Sequence, residues 1–578
     1  MSNTHSADFQ KFISDMQQVG QQWVHSLGGT PIPANAAELQ AAWLEVIGAL
    51  TPAAGGADGL GAIQAHWNAE QQKLMAQFST GSGQSAKDRR FQGVDWQTVA
   101  QYRLLADAYL ATSQSLLQSL DAVDMQAGQK KRARFFLKQY LDAIAPSNFL
   151  ATNPEALRLA IDSKGESLRQ GAENFTGDLA KGHVSITDET AFEVGKNIAT
   201  SPGKVIFEND LFQLIQYQPS TSQVHLRPML FVPPCINKFY ILDLTPDNSL
   251  IRYLVSEGHT VFVMSWRNVD TSLGNLTWDD YIASGVVKAI DVVRVVTNVE
   301  KINTLGFCVG GTLLACALAV LRRMGHDVVE SATFLTTFVD FTDVGEIDAY
   351  IDEAFVAKRE QDVGAGGVVK GSDLAFAFSS LRANDLIWSY VVNNYLKGHR
   401  PAAFDLLYWN ADSTNLPGPW YCWYLRNTYL ENNLVKPDRL TICGVPIDMS
   451  YIDMPAFVFA AREDHIVPWR SAYASAATFG GEVEFTLGAS GHIAGVVNPA
   501  VKNKRSFWQQ RSIAVPLDRP AEQWLDTAEE VPGSWWTKWV EWLAPYGGRK
   551  IAARTSLGSQ AYPPIENAPG RYVLTKMS

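Results

Sequence analysis

Gly306-Phe307-Cys308-Val309-Gly310-Gly311 stands where an apolar, strand-like run (301–307) meets a run rich in Leu, Ala and Val (312–324) that reads as a helix. A Gly-x-Cys-x-Gly turn between strand and helix is the pattern of a nucleophile elbow, with cysteine where serine is usual. Such a turn is tight and strained, and a Cβ at either glycine would crowd the neighbouring elements. The cysteine then opens the helix, whose dipole favours a thiolate over a thiol. The chain is therefore expected to carry out acyl transfer through a thioester-linked enzyme. With 43 glycines and 5 cysteines in 578 residues, composition alone would supply about 0.03 such motifs. The plainer alternative is a buried core cysteine, and the strand–turn–helix setting weighs against it.

Two further residue types follow in the order of a nucleophile–acid–histidine triad. The apolar run PAFVFAA (455–461) ends in Arg462-Glu463-Asp464-His465, and VEFTL (483–487) leads into Gly488-Ala489-Ser490-Gly491-His492. Asp464 and His492 each lie just past the C-terminal end of a strand, where open α/β sheets place their active sites. Rivals exist for both roles. His465 adjoins the acid but shares its strand end, whereas His492 has a glycine-flanked loop of its own. Asp340 and Asp343 follow another strand-like run (332–339) and are alternative acids. Adjacent side chains on an extended strand point oppositely, so only one of Glu463 and Asp464 can face the site.

An oxyanion hole takes one N–H from the residue after the nucleophile, here Val309, and another from an upstream strand-to-helix loop. The run 228–232 leads into Pro233-Pro234-Cys235-Ile236-Asn237-Lys238. Prolines have no N–H to offer, so the second donor comes from Cys235 or Ile236. Ile236 is taken as that donor and Cys235 as loop lining.

Around these motifs the pattern is α/β from about residue 196 onward. Strand-like runs at 211–217, 228–232, 260–265, 301–307, 332–339, 455–461 and 483–487 alternate with helical stretches such as 279–296. A largely parallel sheet with helices on both faces is expected. Residues 1–195 read as a helical domain. In it 1–27 is amphipathic, breaks fall at 55–61 and 81–83, stripes run over 102–120 and 134–144, and Asn153-Pro154 caps and opens a further helix. Between about 341 and 444 an insertion rich in Trp and Tyr reads as a cap, a water-poor roof over the elbow. Gly364-Ala365-Gly366-Gly367 within it is a candidate hinge.

The motifs GFCVGGT, FVPPCINKFYILDL (231–244), REDHIVPW (462–469), GASGHIAGVVNPAVKNKRSFW (488–508), PSNFLATNPEAL (146–157) and GSWWTKWVEWL (533–543) resemble those of class I polyhydroxyalkanoate synthases. The likeness runs from about residue 90 to the C-terminus. It implies an α/β-hydrolase-like domain with an inserted cap, and it carries the family's catalytic cysteine, aspartate and histidine onto Cys308, Asp464 and His492. The implied substrate is an (R)-3-hydroxyacyl-CoA, most of all the 3-hydroxybutyryl ester, with coenzyme A as leaving group and no metal or redox cofactor. The implied partners are the growing polyester, its granule surface and granule-associated proteins. The helical domain is expected to serve homodimerisation and granule attachment. A cysteine-dependent thioesterase or polyester depolymerase of the same fold is the alternative, and a non-catalytic granule-surface protein a more distant one.

Composition fits these expectations. A net charge of −11 argues against nucleic acid as a partner. Basic runs at Lys130-Lys131-Arg132 with Arg134, and at Lys502 with Lys504-Arg505, read as solvated faces that could meet the phosphates of coenzyme A. The cysteines at 235, 308, 316, 422 and 443 have no metal-ligand or paired spacing, as expected for a reducing cytosol. The sequence shows no basic-then-apolar leader, so no secretory signal is expected, and the longest apolar run (313–321) is too short to span a bilayer. A cytoplasmic protein at the surface of polyester granules is expected.

Overall fold

Runs of β-branched and aromatic residues bounded by Pro, Gly and Asn build the strands. In the computed structural model, which describes residues 87–510 and 519–576, one sheet contains β1 (Gly203–Glu208), β2 (Phe212–Tyr217), β3 (Met229–Val232), β4 (Val261–Trp266), β5 (Ile302–Phe307), β6 (Val329–Leu335), β7 (Ala456–Ala461), β8 (Val483–Gly488), β9 (Ser506–Gln509), β10 (Glu529–Pro532) and β11 (Glu566–Asn567). Their order across the sheet is β10-β9-β8-β7-β6-β5-β3-β4-β2-β1-β11. From β4 to β8 every neighbouring pair is parallel, and the pairs on either flank are antiparallel.

Each strand-like run singled out above lies in this sheet. β6 sits earlier than expected, at Val329–Leu335, because the chain turns at Thr336 (φ +41°). The flanking strands β1, β9, β10 and β11 had no expectation. They are short and mostly not fully buried, as in the Glu-Glu-Val-Pro of β10, so they lack the continuous apolar run of a central strand.

The described residues divide into two units, which are taken separately. The helical unit holds 87–185 and 382–401. Its helices include α1 (Ala100–Ala122), α2 (Ala127–Ala143), α3 (Pro154–Asp162) and α4 (Glu166–Lys181). Pro154 opens α3, and the Asn153 side chain accepts from Ala156 N at 3.0 Å. Residues 382–401 fall inside the stretch read as cap, yet they pack with these helices. Tyr395 donates its hydroxyl to Asp178 at 2.8 Å, Lys397 pairs with Glu155, and Asn174 donates to the carbonyls of Asn394 and His399. Gly171 admits the Tyr395 backbone so closely that a Cβ there would meet its carbonyl at 1.9 Å. The segments expected at 1–27, 55–61 and 81–83 lie outside the described residues.

The second unit holds 186–381, 402–510 and 519–576 and is built on the sheet. Its helices include α5 (Lys288–Thr297), α6 (Val309–Arg323), α7 (Trp469–Ala476) and α8 (Trp535–Leu543). α6 is buried from Val309 through Leu321, as an all-round apolar helix must be. One core joins Phe231, Phe307, Leu335 and Phe459 with Trp535, Trp536 and Trp539 of α8. The insertion has an aromatic core of its own, extended by Trp278, which stacks on Trp423 (centroids 4.5 Å apart) and Tyr424 (5.4 Å). Gly367, in the candidate hinge, donates to Gly274 O and accepts from Gly418 N. No helix of the described residues is long and apolar enough to cross a membrane.

Candidate active site

The turn from β5 into α6 puts Cys308 at φ +53°, ψ −129°, a backbone region that costs a non-glycine residue of order 1–3 kcal/mol and clusters at functional sites. The glycines around it answer to close contacts. A Cβ on Gly306 would meet Gly311 Cα at 2.4 Å, and one on Gly310 would meet Val232 O at 2.3 Å. Cys308 N donates to Leu335 O at 2.9 Å, which moors the elbow to the neighbouring strand end. The cysteine is partly exposed, unlike Cys235, Cys316 and Cys422. Burial raises the Cys235 thiol first, and the nearby Cys308 raises it further. Burial likewise pushes Cys316 up to about 12.

Asp464 and His492 come together past the ends of β7 and β8. His492 Nδ1 lies 2.7 Å from Asp464 Oδ2. Asp464 Oδ1 accepts from Ile466 N and Val467 N, each at 2.8 Å, so the carboxylate is held at both oxygens. With Nδ1 turned to a carboxylate, the other ring nitrogen of His492 is left to exchange protons. The imidazole is 4% exposed. Its burial would lower the pKa, but the Asp464 carboxylate, Cys308 and the hydrogen bonds to both outweigh that and raise it to about 10. His492 thus binds a proton more firmly than free imidazole does.

The rivals are occupied elsewhere. Glu463 is exposed while Asp464 is buried; both lie in the turn past the end of β7 at Ala461, so the turn and not strand alternation separates them. Asp340 Oδ1 accepts from Thr342 and from Asn432 Nδ2, and Asp343 Oδ1 accepts from Gly345 N. Both close turns in the loop after β6.

The loop that supports His492 is braced from below by α8. Trp535 Nε1 donates to Gly495 O at 3.0 Å and Trp536 Nε1 to Val496 O at 2.9 Å. The Trp535 ring stacks on Phe459 of β7 at 4.2 Å, and His492 stacks on Phe307 at 5.7 Å. The Trp-rich C-terminal block is therefore packing that holds the histidine loop in place.

Two tyrosines of the aromatic insertion, Tyr424 and Tyr429, lie near the cysteine. Tyr424 and Tyr429 pack edge-on at 5.5 Å. Burial raises both phenols, and both lie close enough to Cys308 for its charge to raise them further. The sequence signal was the aromatic density of 420–429, and nothing local says which of its rings comes near the cysteine. At the other side, Val309 begins α6 with an N–H that needs no intrahelical partner. Ile236 follows the proline pair, and its carbonyl accepts from Thr414 N at 3.0 Å.

The chain was compared with known proteins. Residues 87–254 match the family model of the poly-beta-hydroxybutyrate polymerase (PhaC) N-terminus, and 233–499 match that of the alpha/beta hydrolase fold. Over 525 residues the chain is 51% identical to the poly(3-hydroxyalkanoate) polymerase subunit PhaC of Cupriavidus necator, covering 89% of this chain and 88% of that protein. It is 44% identical over 497 residues to the poly(3-hydroxyalkanoate) polymerase of Methylorubrum extorquens, covering 85% and 81%. It is 37% identical over 513 residues to poly(3-hydroxyalkanoate) polymerase 1 of Ectopseudomonas oleovorans, covering 88% and 90%.

Proposed function

Because the chain belongs to the poly(3-hydroxyalkanoate) polymerase family of acyltransferases, we propose that it builds its polyester from (R)-3-hydroxyacyl-CoA, above all the 3-hydroxybutyryl ester, through a thioester on Cys308. The observation that carries this reading is the 2.7 Å contact between His492 Nδ1 and an Asp464 carboxylate held at both oxygens, beside a cysteine on a strained elbow.

His492 takes the Cys308 proton, and the sulfur attacks the thioester carbonyl carbon. Charge develops on the carbonyl oxygen, where the N–H groups of Val309 and Ile236 stabilise it. The C–S bond to coenzyme A breaks, and the departing thiolate takes the proton back from His492. The 3-hydroxyl of another unit then attacks the acyl-enzyme. It loses its proton to His492 and displaces the Cys308 sulfur, and the polyester is longer by one ester bond. Asp464 orients the imidazole throughout and stabilises its charged form. No metal or redox cofactor takes part.

Hydrolysis is the competing outcome, since water could attack the same thioester. The aromatic packing of Tyr424 and Tyr429 near Cys308 supports a water-poor chamber in which the hydroxyl of the chain wins. The helical unit is assigned to homodimerisation and to contact with the growing granule in the cytoplasm.

Purified protein mixed with 3-hydroxybutyryl-CoA should release coenzyme A in step with polymer. Free 3-hydroxybutyrate without polymer would instead mark a thioesterase. Cys308→Ala should abolish both coenzyme A release and polymer, while Cys316→Ala and Cys422→Ala remain active. Polymer from Cys308→Ala would end the covalent mechanism.

A further inference from the structure

Residues 409–414 of the insertion lie along the loop that carries Ile236, and Trp409, Asp412, Ser413 and Thr414 are bonded to it. Thr414 Oγ1 donates to Cys235 O at 2.5 Å and Thr414 N to Ile236 O at 3.0 Å. Trp409 Nε1 donates to Lys238 O at 2.6 Å, and Asn237 and Ser413 form an antiparallel bridge. Behind them, the Asp412 carboxylate takes Lys238 Nζ at 2.7 Å on one oxygen and the Tyr240 hydroxyl at 2.8 Å on the other. The Lys238 and Asp412 side chains are 3% and 12% exposed. An ion pair so deeply buried gains little net stability, but it fixes the loop against the insertion at a defined register.

Peptide geometry turns this bonding into an orientation. In a trans peptide the C=O and the next N–H point opposite ways, and the Cys235–Ile236 bond is not among the cis bonds. Cys235 O faces Thr414, so Ile236 N–H faces away from Thr414. On the other flank the loop rests on the start of α6, where a Cβ on Gly310 would meet Val232 O at 2.3 Å and Pro233 O at 2.5 Å. That contact seats the loop one residue from Val309.

We propose that Thr414, backed by the Asp412–Lys238–Tyr240 cluster, is a positioning residue for the oxyanion site, its hold on Cys235 O turning the Ile236 N–H toward the acyl oxygen on Cys308. This rests on the cysteine mechanism above and deepens it. Half of the oxyanion site is then set by the insertion rather than by the sheet, so the insertion shapes the transition state as well as roofing the site.

The test is Thr414→Val in the full chain, which keeps the shape and removes the hydroxyl. Two rates are compared: rapid-quench coenzyme A release from 3-hydroxybutyryl-CoA, and alkylation of Cys308 by iodoacetamide. Alkylation uses the thiol and His492 but develops no carbonyl oxyanion. Loss of a whole oxyanion donor costs about 10²–10³ in rate, so a misaimed donor should slow acylation by about 10- to 100-fold. The alkylation rate should stay unchanged, and Thr414→Ser should restore acylation. Tyr240→Phe, which loosens only Asp412, should slow acylation by about 3-fold and decides the matter if Thr414→Val does not fold. Equal loss of both rates would place the residue in the fold or the nucleophile and overturn the proposal, as would unchanged acylation. Cys308→Ala tests the underlying mechanism separately. If it still releases coenzyme A, the cysteine mechanism itself fails, whatever Thr414→Val does.

Discussion

Two histidines are buried at opposite rims of the same sheet, and they have opposite chemistry. His492 follows β8 at the C-terminal ends of the parallel strands. His259 precedes β4 at their N-terminal ends, is 1% exposed and has no hydrogen-bond partner for either ring nitrogen. It stacks flat on His225, with centroids 4.4 Å apart. Burial, then the neighbouring His225 and Lys550, lowers its pKa to about 3. His492 is buried as well, yet it is raised to about 10 because a carboxylate meets it. Burial alone makes histidine release its proton more readily, and one well-placed Asp makes it hold that proton.

The largest break of this pairing should come from exchange of function. His492→Gln is expected to cut coenzyme A release by on the order of 10⁴ or more, whereas His259→Phe should stay within about 3-fold of the parent enzyme. Steady-state coenzyme A release measures both, and comparable losses would show that the partner carboxylate is not what separates the two residues.

Asp464→Asn should be the next largest effect, and a divided one. The amide exchange can cost on the order of 10⁴ when the imidazole adopts the wrong tautomer. Acylation by a thioester is the easier step, because coenzyme A leaves readily and a thiol at a helix start ionises more easily than an alcohol. The variant is therefore expected to retain some single-turnover coenzyme A release and to stall in elongation, with acyl groups accumulating on Cys308. Rapid-quench measurement with labelled substrate would reveal this. An acylation loss as large as that of His492→Gln would refute the division, and normal polymer yield would move the acid to Asp340 or Asp343.

The stability of the two rims should run in opposite directions with pH. His259 is held below its unfolded value, so between about pH 3 and 6.5 the unfolded chain binds a proton that the folded chain refuses. Stability should fall as the pH falls through that window, and His259→Phe should lose that part of the slope. His492 is held above its unfolded value, so its contribution is full below about pH 6.5 and disappears as the pH rises through about 10. Asp464→Asn should flatten that second slope. Urea midpoints measured across pH would separate the two, and unchanged slopes in both variants would contradict the assignment.

The smallest effect sharpens how His492 is held. Trp535→Phe removes one hydrogen bond to Gly495 O and keeps most of the ring stacking, so about 1 kcal/mol of stability should be lost. Turnover should fall a few-fold through a looser histidine loop. Trp539→Phe, whose indole bonds to Thr333 Oγ1 on β6, should lose comparable stability without the change in turnover.

How much of this was legible in the chain follows from the range of each constraint. The elbow needs glycines within a few residues of Cys308, the central strands announce themselves as apolar runs, and Asp464 and His492 follow strand ends directly. Those are local demands, and the order Cys308, Asp464, His492 survives in the sequence because parallel strands present their C-terminal ends at one rim. The flanking antiparallel strands β1, β9, β10 and β11 were not legible, since short, partly polar segments become strands only when an edge receives them. Nor does any local pattern say that 382–401 leaves the insertion for the helical unit, or that Tyr424 and Tyr429 come near Cys308. The chain by itself singled out Cys308, Asp464 and His492 as the candidate nucleophile, acid and base. Only the tertiary structure decided what surrounds them, as where Thr414 closes on Cys235 across 179 residues, a contact that leaves no period in the sequence because it is made by packing alone.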